Sequence, residues 1–498
     1  MTSHFNFSDL GAYIINGSEA SPSVNNTRAS IESLNPFSGQ LLWRGEESAR
    51  HTIDDAVDAA RTAFKKWSSM SPAERQAILA RFGSLVRERA ELLTHIIAIE
   101  AGKPLWESRI EVNSLVTKVD ASIDAYKSRA SDSAREVRGL CSKTSFVPHG
   151  VMAVLGPFNF PASMANGHIM PALLAGNTVV FKPSELTPVV GLVVSRLWQE
   201  AGLPPGVLNC VTGGKDTAEY LVAHKDVAGV LFVGSHAAGM SILRALADSP
   251  EKIVAVEMGG NSPLVIWDYE NLDAAIHVII QSSFISAGQR CSAARRLFVR
   301  KEDRQLIPRL KAVLSSLRIG DFNQTPEPYY GPVIRTTAAD KILCRVGELI
   351  SAGADPILLP QRNGPIGTVI TPGLLGVDDC SDDRDEEIFG PILKVYRYSS
   401  IDEAITLANN TQFGLAAGIV CRERSVFDKF FHEVKAGIIN WNQQLTGATT
   451  LAPFGGVKHS GNFRPAGFLS VDYCSYAVAS FEVEKPKLPD VPTPGITF

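Results

Sequence analysis

Between residues 151 and 256 the chain alternates short apolar runs with helical stretches, and this alternation constrains the fold more than any other feature. The runs occupy 151–155, 178–181, 207–211, 230–233 and 253–256. They are continuous rather than alternating in polarity, which marks strands covered on both faces. The stretches between them predict helices. One runs up to Ala175, and one is opened by Thr187-Pro188 and closed by Gly202 and Pro204. Two more cover 217–224 and 237–247. The reading is an α/β chain with a parallel, doubly wound sheet. Such sheets bind ligands at the carboxyl ends of their strands.

A second α/β unit follows residue 257. Helices are predicted at 274–285, 303–317, 338–352 and 402–408, and strands at 296–299, 416–420 and 437–440. Upstream, Ser71-Pro72-Ala73-Glu74 forms a helix start with a capping box, followed by Ile78, Leu79, Phe82, Leu85 and Val86 at helical spacing. The segments 13–16 and 31–43 predict a strand pair, with turns at Asn16-Gly17 and Asn35-Pro36. Two strand-like segments, 131–146 and 470–482, belong to neither unit. They predict a protruding sheet used for oligomerisation. The four-proline tail 485–498 predicts an extended arm. The expected division is 1–128 with 147–256 as a dinucleotide-binding domain, 257–455 as a catalytic domain, and 129–146 with 470–498 as the oligomerisation element and arm.

Length and composition exclude several classes. The 498 residues suggest more than one domain, and 45% apolar content is enough for a sizeable core. A net charge of −4 offers no cationic face for nucleic acid. The seven cysteines are scattered without a CxxC pair, which argues against a disulfide framework, against a structural zinc site, and for a reducing cytoplasm. The N-terminus shows no signal-peptide pattern, and no run of apolar residues is long enough to span a membrane.

Five pieces carry chemistry. Cys291 lies in Ser286-Ala287-Gly288-Gln289-Arg290-Cys291, a loop with Arg290, Arg295 and Arg296 nearby, the setting of a reactive thiolate. Glu257 ends an apolar strand against glycines, where burial raises a carboxylate towards a useful general base. Gly234, Ser235 and Gly239 form a strand–turn–helix able to cradle phosphate. Without a GxGxxG pattern, it reads equally as a capped helix. Lys182 and Glu185 follow another strand and suit a ribose diol, or a surface ion pair. Asn159, between Phe158 and Phe160, offers an amide to an oxyanion, or completes a turn. A cysteine hydrolase would need a histidine base near Cys291, and none of the ten histidines has a recognisable relation to it.

Taken in order, these pieces resemble the NAD(P)-dependent aldehyde dehydrogenases over nearly the whole chain. The resemblance rests on GPFNFP around Asn159, FKPSE with Lys182 and Glu185, and GSHAAG from Gly234 to Gly239. It continues through EMGGNSP at Glu257, GQRCS at Cys291, EEIFGP with Glu387 and Phe389, and Pro453-Phe454-Gly455-Gly456 with Ser460-Gly461. His236 stands where the family usually has Thr. The resemblance implies Cys291 as nucleophile, Glu257 as base and Asn159 as oxyanion donor. It also implies NAD as cofactor, Glu387 on the nicotinamide ribose, Phe389 near the nicotinamide, and no metal. The stretches Asn166-Gly167-His168, Asn440-Trp441-Asn442 and Asn462-Phe463-Arg464-Pro465 imply an acidic semialdehyde, with Arg464 as a candidate for its carboxylate. A homodimer or homotetramer is expected.

Overall fold

The computed structural model describes residues 6–20, 30–137, 140–488, 491 and 493–497. Two residues of the oligomerisation segment (138–139) and four of the tail (489, 490, 492 and 498) lie outside the described residues.

Two seven-stranded sheets organise the molecule. In the first, Ile253–Met258, Gly229–Gly234, Val151–Leu155, Thr178–Lys182 and Leu208–Cys210 run parallel in that spatial order. Val151–Leu155 and Thr178–Lys182 are buried at every position, which is why their sequences do not alternate. Tyr13–Ile15 closes the far edge antiparallel to Leu208–Cys210 and turns back into Ser18–Ala20. The predicted pairing of 13–16 with 31–43 is therefore wrong. Ser30–Leu34 instead forms its own hairpin with Leu41–Glu46. Each predicted turn, at Asn16-Gly17 and at Asn35-Pro36, closes a hairpin of its own, so each segment pairs with the strand nearest in sequence and not with the other segment. The capping box at Ser71 forms as expected: Ser71 accepts from the Glu74 N–H, and Glu74 accepts from the Ser71 N–H.

The second sheet has the order Asp355–Leu358, Gly373–Gly376, Ile392–Tyr398, Ala294–Arg300, Ser262–Ile266, Ala416–Val420 and Ile438–Trp441. All neighbours are parallel except the first pair. The sheets have separate apolar cores. The chain passes directly from the edge strand Ile253–Met258 of the first sheet into Ser262–Ile266 of the second. Ser262 pairs with Ala294, at the start of the strand that follows Cys291. One crossing and one register thus bring the loop ends bearing Glu257 and Cys291 together.

A third sheet stands apart, with Ser475–Glu482, Leu140–Pro148 and Ser133–Val137 antiparallel in that order. Of the second detached segment, only the portion from Ser475 is strand, because Ser470–Tyr473 is a 3-10 turn. Val137, Leu140, Tyr476, Val478 and Phe481 on this sheet are exposed. Among the described residues no helix is long and apolar enough to cross a membrane.

Candidate active site

Glu257 is the fifth residue of its strand and is buried. Its Oε1 accepts the Ala466 N–H at 3.1 Å, and its Oε2 has no hydrogen-bond partner. Burial pushes this carboxyl up to about 8, opposed by the Ala466 amide and the Lys118 ammonium. The C-terminal segment holds the strand in place. Asn462 accepts from the Val256 N–H and donates to the Val254 carbonyl, while Ser460 Oγ donates to the Gly259 carbonyl at 2.7 Å.

Cys291 lies beyond a loop of unusual geometry. Ser286, Ala287 and Gly288 take φ values of 58°, 52° and 70°, three consecutive left-handed residues. The first two carry a Cβ, so each costs roughly 1–2 kcal/mol. At Gly288 no side chain is tolerated, because a Cβ would sit 2.1 Å from the Gly390 carbonyl oxygen. Buried charge braces the turn. Ser286 Oγ donates to Glu107, and Arg290 donates to Ser286 Oγ (2.8 Å), to Glu107 (3.1 Å) and to the Thr446 carbonyl (3.1 Å). Lys103 bonds Glu111 at 2.8 Å, and the other Glu111 oxygen caps the Ala162 and Ser163 amides. Phe160 lies between the two cations, with Lys103 Nζ 3.7 Å and Arg290 Cζ 4.9 Å from its ring centre. The aromatic neighbour of Asn159 is thereby clamped to the cysteine loop.

Asn159 donates one amide N–H to the Gln289 carbonyl at 2.9 Å. That bond fixes the amide plane, and the second N–H remains for an oxyanion. Gln289 is itself pinned, since its Oε1 accepts the Ile334 N–H and its Nε2 reaches the Ser286 carbonyl.

The arginines do not act as the sequence suggested. Arg290 is spent on Glu107. Arg295 donates to the Gly390 and Arg290 carbonyls and faces Glu387 at 3.6 Å, and Arg296 is tied to four backbone carbonyls. Burial pushes the Cys291 thiol up to about 12, and the facing carboxylates Glu257 and Glu387 add to the rise. The resting sulfur is thus a protonated thiol. Beside the buried Arg295, the charged groups acting on it are carboxylates, and among the described residues no imidazole acts on it, so the hydrolase constellation is not assembled.

Glu387 is held up at about 7 by burial, against Arg295 and the Gly260 amide. Its Oε1 is ion-paired with Arg295 at 3.6 Å, too long for a hydrogen bond. It lies so close to the Gly259 backbone that a Cβ there would be 1.8 Å from Oε2. Phe389 meets Phe158 edge-on at 5.9 Å, under the Arg295 guanidinium.

At the other strand ends, Lys182 donates to the Pro183 (2.8 Å) and Gly213 (2.6 Å) carbonyls and stands 3.9 Å from the exposed Glu185. Lysine has three N–H donors, so two are committed to backbone. Gly234 ends its strand, Ser235 caps the His236–Ala245 helix by accepting the Ala238 N–H, and Gly239 packs against Met258. His236 stacks on His459 at 4.6 Å. The Glu387 carboxylate, whose Oε1 makes no hydrogen bond and only a long ion pair to Arg295, an exposed Glu185 and a helix N-terminus beside a glycine turn fit a dinucleotide with two ribose diols and a pyrophosphate. Arg464 is exposed, two residues before Ala466.

The sequence reading missed Lys103, Glu107, Glu111, Lys118 and Gln289. A signal existed. Residues 107, 111 and 118 fall on one face of the Leu105–Arg129 helix, and a charged stripe beside buried Val112, Leu115 and Val119 implies partners.

The sequence profile of the aldehyde dehydrogenase family matches residues 23–477. The chain is 45% identical over 472 residues to N-succinylglutamate 5-semialdehyde dehydrogenase of Escherichia coli (strain K12), covering 94% of this chain and 96% of that protein. The enzyme of that name from Shigella boydii serotype 18 is also 45% identical, with the same coverage. A putative aldehyde dehydrogenase from Burkholderia cenocepacia superposes with a TM-score of 0.90 at 29% identity, covering 97% of this chain and 99% of that one. An aldehyde dehydrogenase from Bacillus cereus, solved as its NAD+ complex, gives 0.90 at 29% identity, over 96% and 98%.

Proposed function

The chain belongs to the aldehyde dehydrogenase family, and we propose that it oxidises N-succinyl-L-glutamate 5-semialdehyde to N-succinyl-L-glutamate with NAD, in the succinyltransferase route of arginine catabolism. The observation that carries the substrate is 45% identity across 94% of the chain to the enzyme of that name.

The side chains divide the reaction into two halves. The Cys291 thiol gives up its proton to solvent water, and its sulfur bonds the aldehyde carbon as the carbonyl π pair moves onto the oxygen. The free Asn159 N–H and the Cys291 N–H hold the resulting oxyanion. NAD, held by the residues named below, would accept the hydride that leaves the aldehyde carbon. Loss of hydride leaves a thioester on Cys291. Glu257 then takes a proton from water, the water oxygen bonds the acyl carbon, and the carbon–sulfur bond breaks to release the acid. Lys182 and Glu185 bind the adenine ribose. Gly234, Ser235 and Gly239 serve the pyrophosphate, Glu387 the other ribose, and Phe389 packs near the nicotinamide. Glu185 disfavours a 2′-phosphate and so favours NAD over NADP. Arg464, exposed on the segment that holds Glu257, contacts a substrate carboxylate.

The exposed apolar side chains of the third sheet support a homo-oligomer, dimer or tetramer, built through 129–146 and 470–498. Residues 1–128 with 147–256 form the cofactor domain and 257–455 the catalytic domain, and the enzyme works in the cytoplasm.

A panel of aldehydes with NAD, read as absorbance at 340 nm, tests the substrate. N-succinylglutamate semialdehyde should exceed glutamate semialdehyde, succinate semialdehyde and an unbranched aliphatic aldehyde in kcat/KM. Arg464→Ala should narrow the gap between acidic and aliphatic substrates. A preference for the aliphatic aldehyde would overturn the assignment.

A further inference from the structure

Glu257 is a buried carboxylate with one oxygen on the Ala466 amide and the other without a partner. An acid in that position must ionise to accept a proton, and burial resists ionisation. Something nearby has to favour the charged form.

Five titratable side chains bear on it, three directly and two through Lys118. Lys118 from the Leu105–Arg129 helix, Cys291 from the loop and Tyr473 from the turn Ser470–Tyr473 interact with Glu257 itself, while Glu111 from the same helix and His168 from the Ser163–Ala175 helix interact with Lys118. Four of the five cannot supply positive charge. Glu111 is an acid whose two oxygens are taken up by Lys103 and two backbone amides. His168 shares its Nδ1 with the Tyr473 hydroxyl at 3.0 Å, and burial and then Lys118 hold the ring down to about 4, so it is neutral at pH 7. Burial keeps the Cys291 thiol and the Tyr473 phenol protonated and uncharged.

Lys118 remains. It is half-buried and makes no hydrogen bond or ion pair with the described residues, unlike Lys103 and Lys182. Its ammonium lies against Gly167, where a Cβ would be 3.6 Å from Nζ and 3.8 Å from Cε. A Cβ at 167 would meet the lysine at ordinary van der Waals distance, so the end of the Lys118 side chain is packed against the Ser163–Ala175 helix.

We propose that Lys118 is a positioning residue for deacylation, whose ammonium, set beside Gly167 and facing the buried Glu257, keeps that carboxylate able to take and release the proton of the attacking water. The proposal rests on Glu257 being the deacylation base. Proton affinities on the two groups agree with it. Burial draws Lys118 down to about 8, against the pull of Glu257 and Glu111, and lifts Glu257 up to about 8. In the step, a water O–H bond breaks and the proton goes to Glu257. The water oxygen bonds the acyl carbon as the Cys291 sulfur leaves, and Glu257 afterwards releases the proton to solvent.

The test is the pH profile of deacylation in the whole enzyme with NAD, measured per equivalent of the NADH burst. Normalising to the burst counts only folded, acylating protein. In Lys118→Met the ascending limb should move up by about one pH unit, slowing deacylation roughly tenfold at pH 7. Burst rate and KM should be unchanged, and Lys118→Arg should restore the limb. An unmoved limb in Lys118→Met overturns the proposal, as does a raised KM for the succinylated aldehyde with the limb in place, which would make Lys118 a substrate contact. Glu257→Gln run alongside separates the two claims. If it turns over normally, the base assignment fails and this proposal with it. If it stalls after the burst while the Lys118→Met limb stays put, only this proposal fails.

Discussion

Glu257 ends a regular strand of the first sheet, whereas Cys291 follows three left-handed residues in a loop that leads into the second. The glutamate is placed by ladder pairing, Val233 opposite Glu257, and by a few bonds from Ser460 and Asn462. The cysteine loop is placed by Glu107, 183 residues away through its bond to Arg290, and by Lys103 and Glu111 beneath it. On the first side, geometry is a by-product of the sheet, and the acid can change with little structural cost. On the second side, an unfavourable backbone persists because buried charges over-determine it, so stability and chemistry are coupled.

The largest effect should appear at the thiol itself. With its proton affinity raised by burial and two carboxylates, Cys291 in the cofactor-free enzyme is protonated through neutrality. Its alkylation by iodoacetamide should climb about tenfold per pH unit from pH 7 to 10 without a plateau. A plateau near pH 7 would show that the loop arginines do activate the sulfur, and would break the contrast drawn here.

Next comes the brace. Glu107→Ala leaves Arg290 buried without its carboxylate, and removing one partner of a buried pair costs about 3–5 kcal/mol. The urea midpoint at pH 7 should fall accordingly and the NADH burst should shrink with it. A loss below about 1 kcal/mol would put this pair in the class of surface ion pairs.

Asn159→Ala is smaller and purely chemical. It removes one oxyanion donor, which costs about a hundredfold in the burst rate. Loss of the bond to the Gln289 carbonyl should change the melting temperature little. Equal loss of burst rate and stability would mean that Asn159 holds the loop rather than the oxyanion.

Much of the first sheet was legible in the sequence, because strands covered on both faces must be apolar throughout and little else gives that pattern. The helix at Ser71 was legible because its cap is local. The strand Tyr13–Ile15 was legible but its place at the sheet edge was not, because its partner Leu208–Cys210 lies nearly two hundred residues on. Residues of the site could be nominated one by one, each at a strand end or in a loop. Their electrostatics could not. Arg290, Arg295 and Arg296 look like activators in sequence, and only the fold shows each committed elsewhere. The charged stripe on the Leu105–Arg129 helix was visible in spacing but gave no hint of which loop it would meet.

The central claim is that the two carriers serve different halves of one reaction, and one experiment tests it directly. Glu257→Gln, mixed rapidly with saturating NAD and the succinylated semialdehyde, should release one equivalent of NADH per site. Turnover should then be roughly a hundred- to ten-thousandfold slower than in the unaltered enzyme. A burst followed by near-normal turnover would contradict the account by removing Glu257 from deacylation. No burst at all would contradict it differently, by making Glu257 the acceptor of the Cys291 proton and joining the halves that the structure separates.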